Sequence, residues 1–400
     1  MPEAVIVSTA RTPIGRANKG SLVDCRPDDL TALIVKAALD KVPDLDPQSV
    51  EDLILGCGQP GGEAGYNAAR VAAILAGLPD VPGVTINRYC SSSLQAIRMA
   101  AHAIRAGEGD VFIAAGVETV SRFQFGAADT GPHNPKFADA EAVSRERTNG
   151  ASSWEPPAGL PDIYIAMGQT AENVRLAENV SRRDMDEFAA LSQQRAVESQ
   201  KNGFFEREIT PVTLPDGTVV SKDDGPRDGT TAEKLAELKP VFRPDGEVTA
   251  GNACPLNDGA AAVIVMSDQR AADLGIAPLA RIVASGVTGL NPEIMGLGPI
   301  EACRQALKRA GMTIDDIDLV EINEAFAAQV LPSARHLDIP LDKLNVNGGA
   351  IALGHPFGMT GARIMTTLIN GLEDADKTFG LESMCVGGGQ GMAMIVERLN

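Results

Sequence analysis

Four short segments hold the residues whose types and spacing could do chemistry. In Asn87-Arg88-Tyr89-Cys90-Ser91-Ser92-Ser93-Leu94, a cysteine falls between a short strand pattern and an apolar helix pattern. A thiol there faces the unpaired N–H groups and the positive pole of the helix, which are expected to lower its pKa and to hold an oxyanion. A small buried core residue is the competing reading of Cys90. In Asn347-Gly348-Gly349-Ala350-Ile351-Ala352-Leu353-Gly354-His355-Pro356-Phe357-Gly358-Met359-Thr360-Gly361, one of only four histidines stands in a dense glycine loop ahead of a helix. Glycines allow close approach of backbone to a ligand, and a Cys-His pair is an activated nucleophile. A structural loop histidine is the alternative.

Two further segments are weaker alone. Cys385-Val386-Gly387-Gly388-Gly389-Gln390-Gly391 ends an apolar strand pattern at a glycine turn. A cysteine can serve as general acid and base, and the glycine N–H groups offer a second oxyanion site. A turn with a bystander cysteine explains the same residues. Glu321-Ile322-Asn323-Glu324-Ala325-Phe326-Ala327 places Asn323 at a strand-to-helix junction, where it could orient a water or cap the helix.

The elements that must position these segments alternate along the chain. Strand patterns at 4–8, 50–56, 84–87 and 110–116 are separated by helical patterns at 28–41, 66–77 and 91–106. Such alternation predicts a layered α/β fold with a mainly parallel sheet. The pattern recurs: helix 299–310, strand 317–323, helix 324–337, strand 344–347, helix 357–374, strand 378–386. Val50-Glu51-Asp52-Leu53-Ile54-Leu55 parallels Ile317-Asp318-Leu319-Val320-Glu321-Ile322, and Val84-Thr85-Ile86-Asn87 parallels Leu344-Asn345-Val346-Asn347. Slowly drifting offsets of this kind point to a duplicated domain with loop insertions. Residues 122–248 interrupt the two halves with a polar, Gly- and Pro-rich stretch holding helical pieces near 169–178, 181–202 and 231–238. The expected organisation is one half from 1–121 plus 249–274, an inserted substrate-contacting loop domain at 122–248, and a second half at 275–400.

Composition narrows the function classes. The chain has 400 residues and a net charge of −18, from 35 Lys+Arg against 53 Asp+Glu. So acidic a chain disfavours nucleic acid and anionic membranes as partners. Its 4% aromatic content is poor in base-stacking platforms. The six cysteines form no CxxC pair and no Cys/His cluster, so neither a zinc nor a redox motif is supported. No run of 18 apolar residues, signal peptide or peroxisomal address is present, and the cytoplasm with free thiols is the expected location. Walker A, Rossmann GxGxxG and GxSxG patterns are missing in their required contexts.

Taken together, the segments resemble the thiolase family of acetyl-CoA acetyltransferases and 3-ketoacyl-CoA thiolases. The resemblance covers nearly the whole chain. It runs from Arg11-Thr12-Pro13-Ile14-Gly15 through the Cys90 segment, Gly168-Gln169-Thr170-Ala171-Glu172-Asn173 and Asn257-Asp258-Gly259-Ala260-Ala261-Ala262 to the Asn323, His355 and Cys385 motifs. It implies duplicated αβαβα halves and an acyl-CoA C-acyltransferase that cleaves a 3-ketoacyl-CoA with CoA, or runs the reverse Claisen condensation. By the same resemblance, Cys90 is the acyl-accepting nucleophile and His355 takes its proton. Asn323 holds a water in one oxyanion hole, and Cys385 moves the α-carbon proton. The N–H groups of Cys90 and Gly387 form the second hole. Arg227 matches a residue near the CoA adenine. Phe242 and Phe326 match positions lining the acyl or pantetheine tunnel, and Met167 falls among the implied substrate- and CoA-binding residues. Cys254 stands where the family usually has Ser against the pantetheine arm. Ala166-Met167 replaces the His-Met of short-chain acetoacetyl-CoA enzymes.

The resemblance further implies a homodimer or homotetramer and no metal or redox cofactor beyond CoA substrates. Degradative thiolases often work beside β-oxidation hydratase and dehydrogenase subunits. Two other readings compete: a decarboxylating ketosynthase-like condensing enzyme, and a non-catalytic acyl-CoA-binding protein. The second cysteine motif and the scarcity of histidine argue against the former, and the complete Cys90, Asn323, His355 and Cys385 set argues against the latter.

Overall fold

The computed structural model describes residues 2–123 and 128–399. In chain order the first half gives β1 (Ala4–Arg11), β2 (Gly15–Arg16), α1 (Pro27–Asp40), β3 (Asp52–Cys57), α2 (Ala68–Leu75), β4 (Gly83–Ile86), α3 (Ser92–Ala106) and β5 (Val111–Thr119). Next come α4 (Ala138–Arg147), α5 (Met167–Glu178), α6 (Arg182–Lys201), the two-residue strands β6 (Val212–Thr213) and β7 (Val219–Val220), and α7 (Ala232–Ala236). The chain then re-enters the main sheet with β8 (Asn257–Ser267), followed by α8 (Asp268–Leu274). The second half comprises β9 (Ala280–Gly289), α9 (Gly298–Ala310), β10 (Leu319–Ile322), α10 (Ala327–His336), α11 (Ala350–Leu353), α12 (Thr360–Asp374), β11 (Phe379–Val386) and β12 (Gln390–Arg398).

Strand order is β10-β11-β12-β9-β1-β8-β5-β3-β4. Read outward from the central β9–β1 pair, the two sides repeat. Strands β1, β8, β5 and β3 answer β9, β12, β11 and β10 in position and direction. The predicted duplication is therefore expressed in the topology. The expectation of a mainly parallel sheet is not met. Three pairings are parallel and six antiparallel among the described residues. The reason is local in the second half, where a three-residue connection returns β12 beside β11, and so short a link can join only antiparallel strands. The strands β8, β9 and β12 had not been anticipated as elements. Residues 344–347 also depart from expectation. They make one bridge, Leu344 to Val320, where the first half has the four-residue β4.

Alternation along the strands builds five layers. Val5 and Val7 pack outward with α1 and α2, whereas Ala4 and Ile6 pack inward. On the other side Ala393 and Ile395 pack outward with α9 and α10, whereas Met392, Met394 and Val396 pack inward. The inward sets enclose the apolar faces of α3 and α12. This is the αβαβα layering expected from the sequence. The two central helices meet without clearance. A Cβ at Gly361 of α12 would lie 2.4 Å from the main-chain nitrogen of Leu94 in α3. Both helices begin at the same end of the molecule as the chemically active segments, so the layering brings those segments together.

Candidate active site

Cys90 lies in a single 3₁₀ turn, Tyr89–Ser91, that joins β4 to α3. The turn is sharp. Tyr89 takes φ +42°, a left-handed conformation that costs a side-chain-bearing residue energy and persists only where its surroundings hold it. Ser92 supplies part of that hold, its hydroxyl accepting from Arg88 N–H at 2.9 Å and donating to the Tyr89 carbonyl at 2.7 Å. Cys90 is half-buried, leaving it within reach of a substrate. Its pKa runs against the sequence-based expectation. Burial pushes the thiol up to about 12, and the main-chain N–H groups of Gly387 and of Cys90 itself offset only part of that. Desolvation outweighs the helix pole, so Cys90 rests as a thiol and needs a base.

The candidate base stands in the loop ahead of the facing helix. His355 follows α11, which ends at Gly354 in a backbone conformation (φ +112°) that favours glycine. Asn257 of β8 accepts the His355 main-chain N–H at 3.0 Å. The His355 ring Nδ1 lies 2.6 Å from Thr360 Oγ1, and Thr360 Oγ1 donates to the Pro356 carbonyl at 2.8 Å. A hydroxyl has one proton. With that proton on Pro356, Thr360 accepts from Nδ1–H and Nε2 keeps its lone pair. Nε2 faces Asn323 Nδ2 at 3.3 Å, a donor matched to that tautomer. Burial and the positive charge of Arg363 drive the His355 pKa down to about 3, so the ring is neutral at physiological pH.

Asn323 is not a helix cap. The helix α10 starts at Ala327, later than the predicted residue 324, and the residue ahead of it is Phe326. Freed from capping, Asn323 is buried between β10 and the His355 loop, and its Oδ1 has no partner within the described protein. The neighbouring Glu324 carboxylate accepts from Ser192, Asn345 and the Ile351 N–H at 2.6, 2.8 and 3.1 Å, tying α6 and the His355 loop to this turn. A Cβ at Gly349 would come within 2.2 Å of that carboxyl.

Cys385, near the end of β11, is fully buried, and burial pushes its thiol well above the ordinary range. Charge on Cys90 or Cys254 would push it further, which places the three thiols within electrostatic reach of one another. After Val386, Gly388 and Gly389 both take left-handed φ, near +75° and +77°, as a tight hairpin turn of this hand requires. Gly387 stacks against the Tyr89 ring. Phe242 and Phe326 meet edge to face with centroids 6.1 Å apart, and Met167 and Cys254 pack half-buried on the same cluster. Arg227 lies apart and exposed, lining a cleft of about 560 Å³ beside α6. The geometry thus joins Cys90, His355, Asn323, Cys385 and Gly387 in one place, with Phe242, Phe326, Met167 and Cys254 around a neighbouring apolar cluster. Sequence reasoning assigned no role to Gln329, whose amide contacts Cys385, to Thr360 as the His355 partner, or to Arg88 and Gln390, which bond across the two halves. No local signal marks Gln329, which stands in an ordinary helix turn.

A half-buried protonated thiol, a neutral histidine and a second buried thiol beside fixed N–H donors fit the acyl-transfer class of enzyme. The thiolase N-terminal domain family matches residues 4–269 and the thiolase C-terminal domain family matches residues 276–398. The chain is 44% identical over 406 residues to a beta-ketoadipyl-CoA thiolase of Acinetobacter baylyi, covering 100% of both chains. It is 44% identical over 410 residues to a 3-ketoacyl-CoA thiolase of Bacillus subtilis, covering 99% of this chain and 100% of the relative. Among solved structures, the dimeric peroxisomal thiolase of Saccharomyces cerevisiae matches with a TM-score of 0.90 at 36% identity, covering 100% of this chain and 98% of that one. The chain belongs to the thiolase family. It is an acyltransferase of acyl-CoA thioesters, acting by thiolytic cleavage or by the reverse condensation.

Proposed function

We propose that this thiolase carries its acyl group on Cys90 and takes 3-oxoacyl-CoA thioesters as substrates for cleavage. The observation that carries the reading is the neutral His355 with a free Nε2 facing Asn323, together with a protonated Cys90. In cleavage, His355 Nε2 takes the Cys90 proton as the sulfur attacks C3 of the substrate. The C2–C3 bond breaks, its electron pair passing to the enolate of acetyl-CoA, and Cys385 Sγ–H protonates C2. The incoming CoA thiol gives its proton to the Cys385 thiolate and its sulfur attacks the acyl-Cys90 carbonyl. His355 then returns its proton to the departing Cys90 sulfur.

Negative charge builds on a carbonyl oxygen at each stage, and fixed donors are worth most there. The N–H groups of Gly387 and Cys90, both directed at the Cys90 sulfur, support one oxyanion site. The buried, unpartnered Asn323 Oδ1 supports a second site completed by a water. In this reading residues 122–248 contact the substrate. Phe242, Phe326, Met167 and Cys254 border the pantetheine arm, and Arg227 meets the nucleotide end. Every step is thioester and proton chemistry and calls for no metal or redox cofactor. Working thiols need a reducing compartment, which supports the cytoplasm.

A homodimer is part of the same proposal. The edge strand β4 has unpaired backbone on one side, and Tyr66, Ile74 and Leu75 beside it are exposed by 88, 50 and 49%. The dimeric yeast relative supports that assembly. The decisive assay mixes the protein with CoA and, separately, acetoacetyl-CoA, 3-oxoadipyl-CoA and a longer 3-oxoacyl-CoA, following loss of the 3-oxoacyl absorbance. Turnover that disappears in Cys90→Ser, with an acyl adduct on Cys90 by mass, supports the reading. Turnover that persists in Cys90→Ser overturns it.

A further inference from the structure

Cys385 must give a proton and take one back, yet its surroundings offer a thiolate little help. Its own main-chain N–H is the one favourable contact set against burial and the neighbouring thiols. Among the described residues, a single side chain hydrogen-bonds its sulfur. Gln329, the third residue of α10, is fully buried with Oε1 3.5 Å from Cys385 Sγ. In that orientation, however, Oε1 faces the Asn323 carbonyl and Nε2 the Val330 N–H, so neither contact is satisfied.

The amide is satisfied only after a half-turn. Nε2 then donates to the Asn323 carbonyl at 3.2 Å and Oε1 accepts from the Val330 N–H at 3.1 Å. The half-turn exchanges the places of the two atoms, so nitrogen now faces the sulfur. An amide nitrogen has two hydrogens, and one remains for Sγ after Asn323 is served. The residue's frame does not move in this exchange. Its main-chain carbonyl is bonded by Ser333 Oγ at 2.7 Å, and its Cβ is packed against Gly296, where any added Cβ would lie 2.7 Å away.

We propose that Gln329 is a positioning residue for the proton step at Cys385, its amide nitrogen donating to the thiolate. The proposal rests on the reading of Cys385 as the α-carbon acid and base. A fixed cation would favour only the thiolate and a fixed carboxylate only the thiol. A neutral amide held by the Asn323 carbonyl and the Val330 N–H supports the thiolate with one donor and adds no net charge. In the proton step the Cys385 S–H bond breaks as the C2–H bond forms, and the thiolate is reprotonated by the CoA thiol. The amide keeps its orientation and gains or loses no proton. Its bond to the Asn323 carbonyl also couples this step to the residue that faces His355.

The test follows exchange of the C2 hydrogens of acetyl-CoA with deuterium in D2O across pH, beside acylation of Cys90 by mass. Variants are Gln329→Met, which keeps the volume and removes both polar atoms, and Gln329→Glu, which keeps the shape and removes the donor. Expected are a fall in exchange of roughly tenfold at neutral pH in Gln329→Met and a rise of about one unit in its pH midpoint. A further rise is expected in Gln329→Glu, with Cys90 acylation within about twofold of the parent in both. Unchanged exchange overturns the proposal, and so does an equal fall of exchange and acylation in both variants. Exchange that survives Cys385→Ala overturns the underlying reading of Cys385 instead, which separates the two failures.

Discussion

Arg88 Nη1 donates to Gln390 Oε1 at 2.7 Å, joining residues 302 positions apart. Arg88 begins the turn that carries Cys90, and Gln390 follows the turn that carries Gly387. Gln390 Nε2 also donates to the Gly387 carbonyl at 3.3 Å, and Arg88 Nε donates to Gln95 of α3 at 3.1 Å. The two halves of the duplicated fold are therefore bonded at the point where their chemistry meets, and the Gly387 N–H that reaches Cys90 is held by this link.

Replacing Arg88 by Met removes the link and leaves every reacting group in place. The expected result is a fall in kcat of about tenfold, from a charged hydrogen bond worth ~1.5–3 kcal/mol. Steady-state kinetics beside a thermal melt checks this. A loss of stability with unchanged kcat would contradict the positioning role.

Thr360 fixes the His355 tautomer. Thr360→Val preserves the branched shape and removes the acceptor for Nδ1–H, leaving that proton unpartnered in a buried site. The expected loss in the rate of Cys90 acylation is roughly 10- to 100-fold, with Thr360→Ser close to the parent. Rapid-quench measurement of the acyl-enzyme separates this step from the second half-reaction.

The buried ionisable groups set opposite slopes in stability against pH. His355 has a folded pKa of about 3 against an ordinary value of 6.5, so the unfolded chain binds the extra proton between those values. Its contribution is complete above pH 6.5 and is lost as pH falls toward 3. Glu118 and Glu321 are raised by burial to about 7 and about 8, and there the folded chain holds the extra proton. Their contribution is present below about 4.5 and lost as pH rises through 7 to 8. Melting temperature measured across pH is expected to flatten on its acid side in His355→Asn and on its alkaline side in Glu321→Gln. The same histidine pKa predicts that the rate of Cys90 acylation shows no acid limb near pH 6.5.

The open edge at β4 gives a prediction about assembly. Sedimentation of the parent is expected to give a dimer. Charges placed on the apolar face, as in Tyr66→Glu combined with Leu75→Lys, are expected to shift it to monomer. A dimer unchanged by both substitutions would place the interface elsewhere.

The sequence by itself determined the fold class and marked the candidate reacting set. Helical and strand periods follow from which faces must be buried, and those periods recur in both halves. Cys90, His355 and Cys385 each stand beside glycine-rich or turn-forming residues that local chemistry marks. Strand direction was not legible, because β8 and β12 enter the sheet through long-range pairing that no local pattern encodes. Only the tertiary structure decided the charge states. The helix start alone argues for a Cys90 thiolate, but the layers that close over it remove water from the sulfur and raise it to about 12. Gln329 acquires its relation to Cys385 in the same way. It stands 56 residues from that cysteine in the chain, and only the packing of α10 against β11 brings the amide to the sulfur.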